Sequence, residues 1–196
     1  MSLISNQEMI RRATLGDQLR RHAQHQPRKA AVIFYRPDGS REEISYSELN
    51  SRANAFAAYL EEKGVKRGDC VAMMSRNSPD YVVAWYATLK LGAAFTGVNF
   101  TFTEKEITYQ ISHASPKVMI VEDAFVGKFE NIKDQLSGIA AKVVSDTVAN
   151  SASADWLRFS EVLATHDRAE VDRTVSEDDI AMLVYTSGTE AFPKGV

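Results

Sequence analysis

The sequence is poor in the features that mark secreted and membrane proteins. It contains a single cysteine, Cys70, so no disulfide can form within the chain, and such usage is typical of a reducing compartment. No stretch reaches the roughly 20 apolar residues that a membrane-spanning helix needs. Residues 1–12 lack the apolar core of a signal peptide. These absences lead us to expect a cytoplasmic protein without a membrane span.

Excess positive charge is absent as well. The chain has 23 lysines and arginines against 26 aspartates and glutamates, which gives a formal net charge of −3 at pH 7. Proteins that bind nucleic acid usually carry a basic surface, so we expect no nucleic-acid partner. With 44% hydrophobic and 25% charged residues in 196 positions, the composition is that of a globular chain that can bury a sizeable core.

Short apolar runs alternate with segments of helical periodicity along most of the chain. This alternation predicts an α/β fold with a mostly parallel sheet flanked by helices. A turn signal at residues 37–40 adds a small antiparallel hairpin near the N-terminus. The predicted strands cover residues 30–35, 41–44, 69–74, 94–98, 118–121, 142–145 and 180–185. The predicted helices begin near residues 14, 45, 78, 103, 123 and 159.

Two helix starts carry a complete local signature. Ser45 with Glu48, and Thr103 with Glu106, each have the spacing of a capping box. Between residues 146 and 155 the chain is rich in Ala, Ser, Asn and Asp, which predicts a flexible loop and not a domain boundary.

Other chemistry-bearing residues have weaker claims to function. Cys70 lies in a predicted strand among apolar residues, so we interpret it as a small buried hydrophobe and not a nucleophile. His22 and His25 are three residues apart on a helix but have no third ligand nearby, so a solvated helix face is favoured over a metal site. We assign no catalytic residue and no metal ligand to this chain.

The segment 184–196, VYTSGTEAFPKGV, suits a polyphosphate. A predicted strand leads into the hydroxyl residues Thr186, Ser187 and Thr189, which surround Gly188. Lys194 follows. A glycine allows backbone N–H groups to approach phosphate oxygens, hydroxyls donate hydrogen bonds, and a lysine supplies charge.

Two common phosphate-binding patterns do not describe this segment. A Walker A loop needs Gly-Lys-Ser/Thr, whereas here Pro193 precedes Lys194 and Gly195 follows it. The dinucleotide fingerprint GxGxxG is also missing from the chain. The alternative without function is an ordinary loop rich in serine, threonine and glycine.

The segment resembles the phosphate-loop signature of adenylate-forming enzymes, whose usual form is Y-T-S-G-T-T-G-x-P-K-G-V. Two upstream segments strengthen the resemblance: residues 45–49, SYSEL, are similar to the first core motif of the family, and residues 89–99 are similar to the second. The chain departs from the family at Glu190, usually Thr, at Ala191, usually Gly, and at Gly97, usually Pro. Both upstream segments are interpreted as scaffold.

The resemblance implies that the chain is an incomplete N-terminal portion, residues 1–196, of the large domain of an acyl-CoA synthetase. Such an enzyme activates a carboxylic acid with ATP and Mg²⁺ as an acyl-adenylate, then transfers the acyl group to coenzyme A. The implied phosphate-binding residues, within the loop 185–196, are Thr186, Ser187, Gly188, Thr189, Glu190 and Lys194. The acid pocket, the adenine contacts and the usual Mg²⁺ carboxylate would lie after Val196. Glu190 is a candidate substitute for that carboxylate.

A fatty acid is the expected substrate, because the loop variant is similar to that of fatty acyl-CoA synthetases. Two alternatives remain open. One is the adenylation domain of a peptide synthetase, whose thiol belongs to a carrier protein. The other is a non-catalytic portion or pseudo-enzyme that retains the scaffold, and we expect residues 1–196 alone to be inactive.

Overall fold

The computed structural model describes residues 14–136, 138–145, 155–186 and 194–196. Its helices are α1 (Leu15–His25), α2 (Tyr46–Glu62), α3 (Pro79–Lys90), α4 (Glu104–Ala114), α5 (Val126–Glu130) and α6 (Phe159–Thr165). Its strands are β1 (Ala30–Tyr35), β2 (Arg41–Ser45), β3 (Cys70–Met74), β4 (Ala94–Gly97), β5 (Val118–Glu122), β6 (Ala141–Ser145), β7 (Leu157–Arg158), β8 (Tyr185–Thr186) and β9 (Lys194–Gly195).

A parallel sheet of five strands forms the centre of the described structure. The strand order is β4-β3-β5-β6-β7. Strands β1 and β2 pair as a separate antiparallel hairpin, and β8 pairs antiparallel with β9. The α/β fold with a parallel sheet and an N-terminal hairpin is therefore confirmed.

Helices cover both faces of the sheet, so two apolar cores form. Alternate residues of a strand point to opposite faces, and in β3 Val71 and Met73 belong to one core while Ala72 and Met74 belong to the other. Helices α1, α2, α3 and α6 pack on the first face, and α4 and α5 pack on the second. The buried strands accordingly lack an alternating polar pattern, as parallel sheets do.

Local capping signals were predicted well, with one exception. Thr103 and Glu106 form the full capping box at the start of α4. At α2 only half of the predicted box is present: Ser45 accepts a hydrogen bond from the amide of Glu48, 3.2 Å away. The Glu48 carboxylate instead binds Arg52 one turn later, at 2.7 Å. An ion pair at i,i+4 thus competes successfully with the return bond of the box.

Two segments between residues 123 and 158 differ from the sequence-based expectation. The single helix predicted from residue 123 is divided into a 3-10 turn (Asp123–Phe125), α5 and a second 3-10 turn (Lys133–Gln135). Strand β7 was not predicted, because two residues are too few for a period to be detected. The flexible loop predicted at 146–155 lies outside the described residues except for Asp155.

Candidate functional site

Strands β8 and β9 bring two predicted site residues side by side. Thr186 is the direct cross-strand partner of Lys194, and Tyr185 is the partner of Gly195. Val184 and Val196 exchange two backbone hydrogen bonds of 3.0 and 2.9 Å just below them. The paired strands therefore place Thr186, a hydroxyl residue, beside Lys194, an ammonium residue.

The hairpin lies at the carboxyl edge of the parallel sheet. Residues 181–183 run parallel to β4: the amide of Phe95 donates to Ala181, and the amide of Leu183 donates to Phe95. Because β8 continues from this point, Thr186 extends beyond the last residues of β4. In open α/β sheets ligands bind outside the carboxyl ends of the strands, so the hairpin occupies the expected side of the fold.

A buried polar pair fixes the segment that leads into β8. The hydroxyl of Thr96 donates to the carbonyl of Leu183 at 2.8 Å, and the side-chain amide of Gln110 donates to that hydroxyl at 3.1 Å. Gln110 also donates to the carbonyl of Gly97 at 3.0 Å. Both side chains are fully buried, where an unmade hydrogen bond is costly. Through Thr96, helix α4 is thereby connected to Leu183, just before the hairpin begins.

An aromatic contact fixes the base of the hairpin itself. The hydroxyl of Tyr185 is 2.6 Å from Nδ1 of His113, in the last turn of α4, and the two rings meet edge to face. Burial, with smaller contributions from Cys70 and Tyr109, raises the pKa of the Tyr185 hydroxyl. Tyr185 also covers Gly195, where a Cβ would lie 3.2 Å from the ring.

The predicted strand 180–185 is only partly correct. Residues 181–183 make one bridge to β4, and a regular ladder begins at Tyr185. The carbonyl of Leu183 bonds to the Thr96 side chain instead of continuing the backbone ladder. We also expected this strand, an apolar run, to be buried before the loop, and that expectation was wrong. Ile180, Met182 and Val184 are 62%, 38% and 48% exposed, because no described residue covers their side of this edge segment.

The structure describes two of the six predicted site residues. Thr186 and Lys194 are described, adjacent and exposed, whereas Ser187, Gly188, Thr189 and Glu190 lie outside the described residues. Sequence analysis missed His113. Its spacing of three residues from Gln110 places both on one face of α4, which is the only signal that could have indicated a shared role.

Within the described part of the chain, Lys194 has no ion-pair partner, so its charge faces solvent. No group of three or more potential metal ligands occurs among residues 14–136, 138–145, 155–186 and 194–196. Cys70 is buried, and burial first, then Asp69, raises the pKa of its thiol to about 12, which makes it unreactive. None of the described helices is long and apolar enough to cross a membrane.

The second upstream motif lies at the end of α3 and in β4. Lys90 is buried there and forms an ion pair with Glu170, which also accepts hydrogen bonds from the side chains of Asn50 and Asn54. At Gly97 a Cβ would come within 2.7 Å of the Tyr81 hydroxyl. This contact gives a physical reason for a residue without a side chain where the family usually has proline.

The sequence profile of the family described as AMP-binding enzyme matches residues 19–196. The chain belongs to this family. The resemblance to this family that the sequence showed is therefore confirmed.

Relatives of this AMP-binding enzyme are CoA ligases. The chain is 32% identical over 160 residues to a medium/long-chain-fatty-acid–CoA/3-oxocholest-4-en-26-oate–CoA ligase of Mycolicibacterium smegmatis, covering 79% of this chain and 28% of the relative. It is 31% identical over 154 residues to 4-coumarate–CoA ligase CCL1 of Humulus lupulus, covering 78% and 27%. It thus spans less than a third of the length of these two relatives.

Solved structures agree with the fold. The anthranilate CoA ligase AuaEII, in complex with anthranoyl-AMP, superposes with a TM-score of 0.81 at 26% identity, covering 93% of this chain and 34% of that one. Acetoacetyl-CoA synthetase from Streptomyces lividans has a TM-score of 0.85 at 22% identity, covering 93% and 30%, and this second likeness concerns the fold alone.

Proposed function

We propose that this chain is the N-terminal portion, residues 1–196, of an ATP-dependent acid–CoA ligase. The complete protein activates a carboxylic acid as an acyl-adenylate, releases pyrophosphate, and transfers the acyl group to coenzyme A. The observation that carries the proposal is the cross-strand pair Thr186–Lys194 at the carboxyl edge of the sheet. Membership of the AMP-binding family and the CoA-ligase relatives support it.

The phosphates of ATP suit the groups at the mouth of the hairpin. Thr186 supplies a hydroxyl donor and Lys194 an exposed positive charge, and the intervening Ser187, Gly188 and Thr189 would add hydroxyl and backbone donors to the β- and γ-phosphates. Formation of the adenylate places negative charge on the leaving pyrophosphate, and fixed donors that neutralise it lower the barrier. Mg²⁺ would enter bound to these phosphates, since it usually keeps only one or two protein carboxylates.

A fatty acid is the proposed substrate, and coenzyme A the proposed thiol. The mycobacterial relative is named for medium- and long-chain fatty acids, but other relatives are named for 4-coumarate and for crotonobetaine or carnitine. A carrier-protein thiol, as in peptide synthetases, is less well supported, because these relatives are CoA ligases. A cytoplasmic setting, where ATP and coenzyme A are plentiful, is part of the same proposal.

Substitution of Lys194 tests the phosphate assignment in the full-length protein. Lys194→Ala should slow ATP–pyrophosphate exchange by roughly tenfold to a thousandfold, the range typical of one electrostatic group, and Lys194→Arg should retain more activity because it keeps the charge. Lys133→Ala removes an exposed lysine from a 3-10 turn and serves as the matched control. Exchange at the wild-type rate in Lys194→Ala would refute the assignment.

The substrate class is tested with a panel of acids. Exchange driven by medium- and long-chain fatty acids, followed by thioester formation only when coenzyme A is added, is the expected result. Preference for an aromatic acid would correct the substrate, and transfer only to a phosphopantetheinylated carrier protein would favour the peptide-synthetase alternative. A full-length protein inert with every acid would indicate a pseudo-enzyme.

A further inference from the structure

We propose that His113 is a positioning residue for the phosphate loop: through its bond to Tyr185 it fixes the hairpin base that holds Thr186 and Lys194. The inference rests on the proposed function, because it assigns His113 a task in binding the same ATP phosphates. His113 lies 72 positions before Tyr185 in the sequence, outside the phosphate-loop signature and both upstream motifs.

The geometry of α4 supports this assignment. Gln110 and His113 lie three residues apart on one face of the helix. Gln110 donates a hydrogen bond to Thr96, and His113 is hydrogen-bonded to Tyr185. Gln110 reaches Leu183 through Thr96, before the hairpin, and His113 reaches Tyr185, its first residue. Helix α4 thus fixes two parts of the segment: residue 183, where the chain enters the hairpin, and the orientation of Tyr185 at the start of β8.

The position of the Tyr185 ring affects the position of Lys194 through Gly195. Tyr185 is paired with Gly195, and its ring occupies the space in which a side chain at position 195 would lie. Lys194 is covalently next to Gly195 and is paired with Thr186. If Tyr185 loses its hydrogen-bond partner, its ring can turn away from Gly195, and the two strands then lose the surface that sets their separation.

The bond is suited to precise placement. The distance of 2.6 Å between Nδ1 and the hydroxyl oxygen is short for such a pair, and the ring of Tyr109 also stacks on His113, with centroids 6.3 Å apart. His113 is therefore held in one orientation by an aromatic neighbour on its own helix. Catalytic groups lose efficiency when the residues that support them leave them free to move.

Three substitutions isolate the bond. Tyr185→Phe removes only the hydroxyl, His113→Ala removes the ring, and His113→Asn restores a polar atom close to the position of Nδ1. His25→Ala is the matched control, because His25 also lies in the last turn of a helix, α1, and shares any effect on the helix dipole. The double variant His113→Ala with Tyr185→Phe completes a cycle that measures the coupling.

The first measurement is amide hydrogen exchange of the 196-residue chain, at the amides of Val184 and Val196 that join the two strands. His113→Ala and Tyr185→Phe should each accelerate exchange at these amides by about 2- to 12-fold, the equivalent of one hydrogen bond, and the double variant by no more. His113→Asn should recover part of the protection and His25→Ala should change nothing. Unaltered exchange in His113→Ala would overturn the inference whatever the enzyme does.

The second measurement uses the full-length protein. His113→Ala and Tyr185→Phe should raise KM for MgATP by about 2- to 12-fold, with KM for the acid unchanged and with recovery in His113→Asn. Equal increases in both KM values, or none in an active enzyme, would overturn the positioning role. A wild-type protein without exchange activity would instead refute the proposed function, and amide exchange would still decide whether His113 holds the hairpin.

Discussion

Substituting Gly97 provides a sharp test of the packing at the end of β4. A Cβ at this position would lie 2.7 Å from the hydroxyl oxygen of Tyr81, closer than the 3.0 Å below which real Cβ contacts essentially never occur. The next ring atom of Tyr81 would be 3.9 Å away, at ordinary van der Waals distance. The conflict in Gly97→Ala therefore comes from a single oxygen atom, which Tyr81→Phe removes.

The expected magnitude follows from these two distances. Forcing one extra carbon into a packed site costs about 1–3 kcal/mol, and replacing glycine returns about 0.4–1 kcal/mol by restricting the unfolded chain. Gly97→Ala should therefore lower the free energy of unfolding by up to about 2.6 kcal/mol, or the Tm by up to about 10 °C for a chain of this size. In the Tyr81→Phe background the same change should be neutral or stabilising.

Thermal and urea unfolding of the four proteins of this double-mutant cycle measure the coupling, which should be about 1–3 kcal/mol. Gly127→Ala is the control, because a Cβ there meets nothing within 4 Å and should stabilise α5 by about 0.5–1 kcal/mol. Equal destabilisation by Gly97→Ala with and without the Tyr81 hydroxyl would refute the steric explanation and point to the backbone of β4 instead.

Three further predictions concern activity and stability. The 196-residue chain alone should show no acid-dependent ATP–pyrophosphate exchange, because fixing the pyrophosphate does not align the attacking carboxylate; exchange clearly above the no-enzyme control would contradict this. Burial alone would raise the pKa of Glu170, but hydrogen bonds from Lys90 and two asparagine amides outweigh it and lower the pKa. The stabilisation by this carboxylate is then complete above its unfolded pKa of about 4.3 and is lost as the pH falls through the lower folded value, so the Tm deficit of Glu170→Gln should shrink in acid. Thr103→Ala removes both hydrogen bonds that the Thr103 hydroxyl makes with Glu106 and leaves the backbone amide of residue 103 to donate to the Glu106 carboxylate; it should cost about 0.5–2 kcal/mol in urea unfolding.

Much of the fold could be predicted because its signals are local. The caps at Thr14, Ser78 and Thr103 follow from side chains that reach an amide three residues away, and strands such as β3 and β5 are short apolar runs. The strand order could not be predicted, because pairing between β3 and β5 depends on how the intervening chain crosses the sheet. The prediction that the Glu48 side chain would bond back to the amide of Ser45 was wrong for a related reason. The sequence does not show whether that hydrogen bond or the ion pair with Arg52 is the more stable.

In the candidate site, too, residues with a local signal could be predicted and contacts between distant residues could not. Thr186 and Lys194 could be named from the signature, since their residue types and spacing suit phosphates, but their pairing across a hairpin is a property of the folded chain. His113 could not be named, because a contact over 72 positions leaves no periodic signal in a single sequence. The exposed side of residues 180–184 was missed because apolar residues in alternation predict burial without stating what covers them.

The departures from the family signature show when the role of a family residue can be assigned to the matching position of this chain. Gly97 stands where the family usually has proline, and a Cβ at this position would meet the Tyr81 hydroxyl at 2.7 Å, so the departure is explained by a local pair of residues. A role can be carried over to a position only when its neighbours carry over too. Under the proposed function, Thr186 and Lys194 depend on the pairing of β8 with β9, so the neighbouring pair, Tyr185 and Gly195, is proposed to matter as much as the groups that would touch the phosphates.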